Sequence, residues 1–406
     1  MKAKTSRDEA ARRRPAVQAE QAARGGGKRA PEGTPLYVHL PFCAAKCHYC
    51  DFYSIASEGQ DIDGTVDAVL LEASRRAPRA PRTVFLGGGT PSLLSIPQLT
   101  RLLEGLEEVT GFRSSSVETT LESNPESVDR DKAEALRELG VGRLSIGFQS
   151  LEPATLELFG RVHGVEDSFR AFEAARAGGF DEINVDLIYA APGHDPERWA
   201  VDLPRVLALG PQHVSAYALA FEEETLFSKW LAEGRLQAQP EERELALFQQ
   251  THGILAEHGF ASYEVSNFAP NGHECLHNLN YWGNGSYCGI GPSAVSHIGG
   301  RRAGNHKSLA PWRKAVQAGE SAEAWDERLD PRSRLGECWW LGLRLRSGVD
   351  PAELRAVAGW THAEDPALVV ARPLLEEGLL EEVDGRIRLT AAGLPLADAV
   401  SRAFLA

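Results

Sequence analysis

Six short β-rich runs, separated by stretches of helical period, constrain the fold of this 406-residue chain more than any other feature. The runs are LYVHL (36–40), TVFLGG (83–88), VETTLE (117–122), RLSIGFQ (143–149), INVDLIY (183–189) and HVSAYALA (213–220). Between them, TVDAVLLEASRRA (65–77), IPQLTRLLEGLEEVT (96–110) and DRDKAEALRELG (129–140) place apolar residues at helical spacing. Strands that alternate with helices build βαβ units and a parallel sheet. The chain is therefore expected to be α/β, with a partial (β/α)6 barrel over 35–240, because a closed eightfold barrel needs two more units. The pieces that follow the strands are polar or rich in glycine: PFCAAKCHYCDF, GGGTP, ESNP, FQS and DLIYAAPG. Chemistry in such barrels sits in the loops at the C-terminal strand ends.

The flanks read differently. Residues 1–34 hold nine Lys and Arg against four acids, with almost no bulky apolar residues, and read as a disordered basic tail. A mitochondrial transit peptide is the alternative there, and the interspersed acids count against it. Past residue 240 a helix is expected over 241–259, within a linking segment (241–330) that carries HNLNYW. The last stretch, 331–406, reads helix, helix, short hairpin LLEEVDGRIRLT (379–390), helix, an α+β extension that includes a winged-helix-like module. Winged helices often bind DNA. Here residues 363–406 hold eight acids and four bases, and the whole chain carries a net charge of −14. Both figures argue against a phosphate-facing surface, so a packing or partner-docking role is expected, without nucleic acid. No apolar run approaches the roughly 20 residues of a membrane span. With no signal peptide either, a cytoplasmic protein is expected.

Three of the six cysteines, Cys43, Cys47 and Cys50, stand within eight residues in a C-x3-C-x2-C pattern. A disulfide framework belongs to short secreted domains, so tight spacing in a long chain points to a metal or cluster. Three thiolates from one loop can hold zinc if His39 or His48 adds a fourth ligand. They also suit a [4Fe–4S] cluster with one iron left open to chelate an external ligand. The C-x2-C pair has no second pair to complete a zinc knuckle, which favours the cluster.

The cysteine spacing, with Tyr49 just before the last thiol, resembles the signature of the radical S-adenosylmethionine (SAM) superfamily. The resemblance implies a [4Fe–4S] cluster on Cys43, Cys47 and Cys50, whose open iron takes the amino and carboxylate groups of SAM. It also implies the same partial barrel. GGGTP, Gly87 to Pro91, resembles the superfamily motif that meets the SAM amino group, which assigns Gly88, Gly89 and Thr90 to that cofactor. Glycines at a strand end let backbone approach a ligand that a side chain would block. Further positions match one subfamily, the oxygen-independent coproporphyrinogen oxidases and their relatives. On that resemblance Tyr37, Tyr49, Glu122, Gln149, Arg161 and Asp186 belong to the SAM site. Arg161 suits a carboxylate and Asp186 suits ribose hydroxyls. The resemblance runs from about residue 35 to the C-terminus.

The oxidases carry one more cysteine two residues after the third, and Phe52 stands there in this chain. HNLNYW, residues 277–282, is similar to the His-Asn-x-x-Tyr-Trp motif of the HemW-type haem chaperones. That implies a protein that binds haem and delivers it to apoproteins, membrane-associated ones among them, with no catalytic residue assigned. Met1 is the only methionine, so His277 is the expected axial donor, with Tyr281 and Trp282 as flat surfaces against the macrocycle. The alternative is an oxidase that decarboxylates coproporphyrinogen III propionates. A third reading is a zinc-stabilised scaffold. HECLH (273–277) with Cys288 or His297 offers another zinc reading, although Cys275 and Cys288 are taken as private to this chain. GIGPSA (289–294) lacks the strand–helix unit and trailing acid of a dinucleotide loop and is expected to close the SAM pocket. Ala190 to His194 replaces the family's Gly-Leu-Pro-Gly-Gln, which makes His194 a candidate extra contact or ligand at the barrel mouth.

Overall fold

The computed structural model describes residues 29–362 and 364–405. All six expected strands form: β1 (Leu36–Leu40), β2 (Thr83–Gly88), β3 (Glu118–Ser123), β4 (Arg143–Gln149), β5 (Glu182–Tyr189) and β6 (His213–Ala218). They pair in that order, each parallel to the next. Helices α1 (Ile62–Arg76), α2 (Ile96–Thr110), α3 (Arg130–Glu138), α4 (Val165–Ala177) and α5 (Pro196–Leu207) connect them. Val38, Leu86, Leu121, Ile146, Val185 and Val214 are fully buried along the strands, as a parallel sheet covered by helices requires.

Helix α2 shows why the local sequence folds as it does. Ser95 and Gln98 form a capping box at its start, Pro97 sits in the first turn, and Gly111 ends it in the left-handed region at φ 69°. Leu99, Leu102, Leu103 and Leu106 fall on one face and are buried. Each such leucine contributes roughly 1.5–3 kcal/mol of burial.

The stretch expected to be a linking segment adds to the same sheet. Cys288–Ile290 lies parallel to β1, with Leu36 opposite Cys288, and Asn267–Ala269 lies antiparallel to β6 with Ala261–Ser262 outside it. GIGPSA is thus a sheet strand with the turn after it. Between helix α6 (Glu241–Glu257) and that strand, HNLNYW forms most of helix α7 (Leu276–Trp282). Helix α7 sits at the N-terminal end of the barrel. Glu118, the first residue of β3, accepts from the amides of Leu276 and His277 at 3.0 Å each. Thr83, the first residue of β2, bonds His277 Nδ1 at 2.7 Å, and Arg143, the first residue of β4, donates to the carbonyl of His273 at 2.9 Å.

The C-terminal module has its own core, in which Trp339 stacks on Phe404 at 4.8 Å. Three helices precede its hairpin (Leu380–Val383 with Arg386–Leu389) where two were expected: α8 (Pro331–Gly342), α9 (Pro351–Ala358) and α10 (Pro366–Glu376). Gly359 stops α9 in the left-handed region and Asp365 caps α10, so two local signals divide one long apolar stretch.

The expected basic tail needs a correction at its inner end. Residues 1–28 lie outside the described residues, whereas Arg29 donates to the carbonyls of Ser74 and Ala77 at the end of α1, and the amide of Ala30 donates to Arg76. A cation at a helix C-terminus satisfies orphan carbonyls and favours the local dipole.

One buried carboxylate ties α1 to the chain beyond β6. Glu72 accepts from Arg76 (2.6 Å), Asn305 (2.8 Å), the Trp312 indole (2.8 Å) and the Gly291 amide (2.8 Å). Glu72→Ala is expected to lower stability by about 3–5 kcal/mol, since it removes one of the two carboxylates of the buried Arg76 and leaves the buried Trp312 and Gly291 N–H donors unpaired. Exposed Glu104→Ala should stay within about 0.5 kcal/mol. Denaturant midpoints compare them, and equal midpoints would refute the anchoring role.

Candidate functional site

The three cysteines follow β1 on a loop at the C-terminal barrel mouth, and their thiols are half-buried. Thr90, just after β2, donates its hydroxyl to Cys43 Sγ at 3.6 Å. Arg161, in the loop beyond β4, donates to Cys47 Sγ at 3.4 Å. A residue not singled out from sequence joins the two donors. Asn124 of LESNP, after β3, donates to Thr90 Oγ1 at 2.9 Å and accepts from Arg161 Nη2 at 2.6 Å. A continuous path of hydrogen bonds therefore runs from Cys43 through Thr90, Asn124 and Arg161 to Cys47. The SNP turn carried the signal, a short polar amide at a strand end. Its target became visible only once three loops met.

Burial raises the Cys43 thiol above its ordinary pKa, and it raises Cys50 to about 11, with Cys47, Cys43 and Asp51 adding to the effect at Cys50. Thiols with partial exposure and raised pKa values release protons when a cation takes them as ligands. Of the two histidines considered as a fourth zinc ligand, His39 has both ring nitrogens engaged and His48 has one. His39 sits between the Tyr37 hydroxyl and the Tyr53 carbonyl, each at 2.9 Å, and His48 Nδ1 bonds the Leu158 carbonyl at 2.9 Å. Tyr49 packs edge-on against Phe159 at 4.9 Å, wedging the cysteine loop onto the barrel.

The glycines of GGGTP serve close approach of protein to protein. A Cβ on Gly88, whose φ is +103°, would lie 2.3 Å from the His39 ring, and one on Gly89 would lie 2.6 Å from the Phe42 carbonyl. The amides of Gly89 and Thr90 donate to the Leu40 and Phe42 carbonyls at 2.8 and 2.7 Å. Bulk at Gly88 therefore displaces the His39 ring of β1, and bulk at Gly89 displaces the backbone that leads into the cysteine loop.

Of the remaining sequence-predicted residues, Glu122 and Asp186 border a cavity inside the barrel. Glu122 accepts from the Gly88 amide at 3.0 Å. Desolvation, then the nearby Asp186 charge, push its carboxyl up to about 8. Asp186 accepts from Ser145 at 2.9 Å and Asn184 at 2.8 Å, and desolvation raises it too. Gln149 and Ala190, at the ends of β4 and β5, hold φ of 65° and 58°. Non-glycine residues in that region store strain, which concentrates at functional sites. His194 accepts from the Ala190 amide at 3.0 Å and packs on Trp199, so it braces this turn.

At the opposite end, His277 is buried in α7, where a loop was expected. Its Nδ1 meets the Thr83 hydroxyl, its Nε2 meets the Tyr281 hydroxyl at 2.9 Å, and Phe85 stacks on the ring. Burial lowers its pKa to about 3, so it is neutral. Neither nitrogen is open to a metal in this arrangement. Trp282 lies beneath the Arg344 guanidinium at 4.8 Å, against the C-terminal module. Of the three haem candidates, Tyr281 borders a cavity of about 440 Å³. The residues of the HECLH zinc reading are scattered: His273 bonds Glu182, Cys275 faces Glu118, and Cys288 faces the Arg76 carbonyl.

A parallel six-strand barrel with three thiols after its first strand and a glycine turn after its second defines a radical SAM protein. The sequence profile of the Radical SAM superfamily matches residues 37–203, and that of the HemN C-terminal domain matches 329–396. Within this class the chain belongs to the HemW family. It is 33% identical over 374 residues to the haem chaperone HemW of Bacillus subtilis, covering 91% of this chain and 98% of that protein. It is 37% identical over 269 residues to HemW of Escherichia coli, covering 65% and 70%. Coproporphyrinogen III oxidase (HemN) from Escherichia coli, a radical SAM enzyme, shares the fold with a TM-score of 0.78 at 27% identity, over 95% of this chain and 92% of that one. Membership of the superfamily implies a [4Fe–4S] cluster and SAM.

Glu122 generates a pH test. Its folded pKa, about 8, lies above the ordinary 4.5, so the folded protein holds a proton that the unfolded chain releases. Stability from this group is present below the lower value and is lost as pH rises towards the upper one. The cofactor-free protein should therefore weaken across that window, and Glu122→Gln should flatten the slope. Identical slopes in urea titrations would contradict the assignment.

Proposed function

We propose that this protein binds haem and delivers it to acceptor proteins, while Cys43, Cys47 and Cys50 hold a [4Fe–4S] cluster with SAM beside it. The observation that carries the reading is a match along 98% of the length of a haem chaperone. The site supports it: half-exposed thiols, flanked by hydrogen-bond donors, suit a cluster that needs ligands on one side only. Arg161, held by Asn124, would meet the SAM carboxylate. On the family resemblance Gly88, Gly89, Thr90, Tyr37, Glu122, Gln149 and Asp186 would border SAM, and Glu122 with Asp186 lines a cavity inside the barrel. Tyr49 would fix the loop, and Asp186 would accept from ribose hydroxyls. When bound, the cluster supplies an electron and SAM supplies a radical precursor.

Phe52 bears on the oxidase alternative. It is 64% exposed where the oxidases carry a further cysteine, which leaves that equipment incomplete. The reading places the protein in the cytoplasm, handing haem to apoproteins that include membrane-associated ones. Among the described residues no helix is long and apolar enough to cross a membrane.

Anaerobic reconstitution should give about four irons and four sulfides per chain, lost on changing any of the three loop cysteines to alanine. The same preparation should bind about one haem per chain, pass it to an apo-haemoprotein, and leave coproporphyrinogen unconverted when SAM and a reductant are present. Decarboxylation without haem transfer would establish the oxidase instead.

A further inference from the structure

Beside HNLNYW lies a cavity of about 440 Å³ between the chain following the motif and helix α8, within the range of roughly 300–1,000 Å³ common for small-molecule sites. Its walls include Tyr281, Tyr287, Trp340, Leu341, His297 and Arg302. Tyr281 and Tyr287 meet edge to face at 4.6 Å, and Tyr287 meets the His297 ring at 6.1 Å. Aromatic faces, one aliphatic side chain and one guanidinium suit a flat apolar macrocycle that bears carboxylates, with Asn284 and Glu337 as the other polar side chains of the wall.

The two histidines near this cavity differ in a way that decides which can bind iron. His277 has both nitrogens occupied by hydroxyls. His297 is buried, and its Nδ1 lies 3.2 Å from the Gly285 carbonyl. A carbonyl only accepts, so Nδ1 carries the proton and Nε2 carries the lone pair. Nε2 has no hydrogen-bond partner among the described residues. A ligating histidine almost always donates its other ring N–H to a carboxylate, a carbonyl or water, an arrangement that fixes the tautomer and the ring orientation. Burial also lowers the pKa of His297, which keeps the lone pair available. The motif supports this arrangement from below. The Gly285 amide donates to the Asn280 carbonyl at 2.9 Å, Asn280 Nδ2 donates to the Ser286 carbonyl at 3.2 Å, and His277 orients the Tyr281 hydroxyl.

We infer that haem occupies the Tyr281–Tyr287–Trp340 cavity with His297 Nε2 as its axial ligand, and that His277 of HNLNYW is a positioning residue. This inference rests on the chaperone reading and names the site for its cargo. Arg302, paired with Glu327 at 2.8 Å and Glu337 at 2.5 Å, would meet a propionate by exchanging one of these carboxylates for it.

Ferric protoporphyrin IX titrated into the full chain, with absorbance spectra of each complex, tests this. His297→Ala should weaken binding by roughly tenfold or more and shift the Soret band, while added imidazole restores the wild-type band. His277→Ala should weaken binding by less than about tenfold and keep the wild-type band position. His297→Met, close in size and offering a thioether, should keep haem with a shifted band and a higher reduction potential. It preserves the test if the alanine variant fails to fold. A wild-type spectrum and affinity in either His297 variant overturns the inference alone. Absence of haem binding by the wild type overturns the chaperone reading and this inference with it.

Discussion

The hydrogen-bonded path from Cys43 through Thr90, Asn124 and Arg161 to Cys47 is the constraint on which the C-terminal barrel mouth depends. Its members come from the loops after four successive strands, so it forms only when β1 to β4 are in register. Hydrogen bonds that involve a charged partner contribute about 1.5–3 kcal/mol each, and buried networks polarise their members further. Arg161 also donates to the Gly147 carbonyl at 3.0 Å, which anchors the path to β4. The glycine turn at the end of β2 allows the approach, since a Cβ at Gly88 would collide with His39 of β1 and one at Gly89 with the backbone entering the cysteine loop. Loop, glycine turn and guanidinium are one assembly.

The barrel has two chemically distinct ends. The thiols stand at the C-terminal mouth, whereas α7 closes the N-terminal end through Glu118, Thr83 and Arg143. Between them the lumen is polar, a space of about 140 Å³ bordered by Glu122, Arg143, Asn184, Asp186 and His213 among others. Two Arg143 nitrogens there have no partner among the described residues, so this interior is built for polar contents. A cargo site beside α7 therefore lies apart from the cluster, and the polypeptide between them must carry any coupling. The Tyr281–Tyr287–His297 series runs along that closing end, and Glu72 fixes the adjoining Gly291 turn.

Much of this was legible in the sequence, for local reasons. The six runs became the six strands because apolar period and β-branched content act over a few residues, and α2 kept its expected bounds because Ser95 with Gln98 is a local start signal and Gly111 a local stop signal. The cysteine loop was legible because all its thiols lie close in the chain. What was not legible depends on distant partners. Asn124 acquires its role from Thr90 and Arg161, and residues 261–290 flank the sheet by pairing with strands far back in sequence. His277 looked like a ligand because its six-residue context resembles a haem motif, yet Thr83 and Phe85, nearly two hundred positions earlier, enclose it. In the sequence His297 stood only as a candidate zinc ligand beside HECLH, not as a haem ligand. Only the Gly285 carbonyl opposite Nδ1 distinguishes it.

The central claim is that Asn124, which touches no thiol, couples the cysteine loop to the place where SAM would bind. The direct measurement is electron paramagnetic resonance of the reduced, reconstituted cluster in wild type and Asn124→Ala, titrated with SAM. The account predicts that the variant keeps its iron and sulfide but needs roughly 10–100-fold more SAM for the same spectral change, the usual cost of losing an outer-shell partner. A variant that responds to SAM at wild-type concentrations would contradict it.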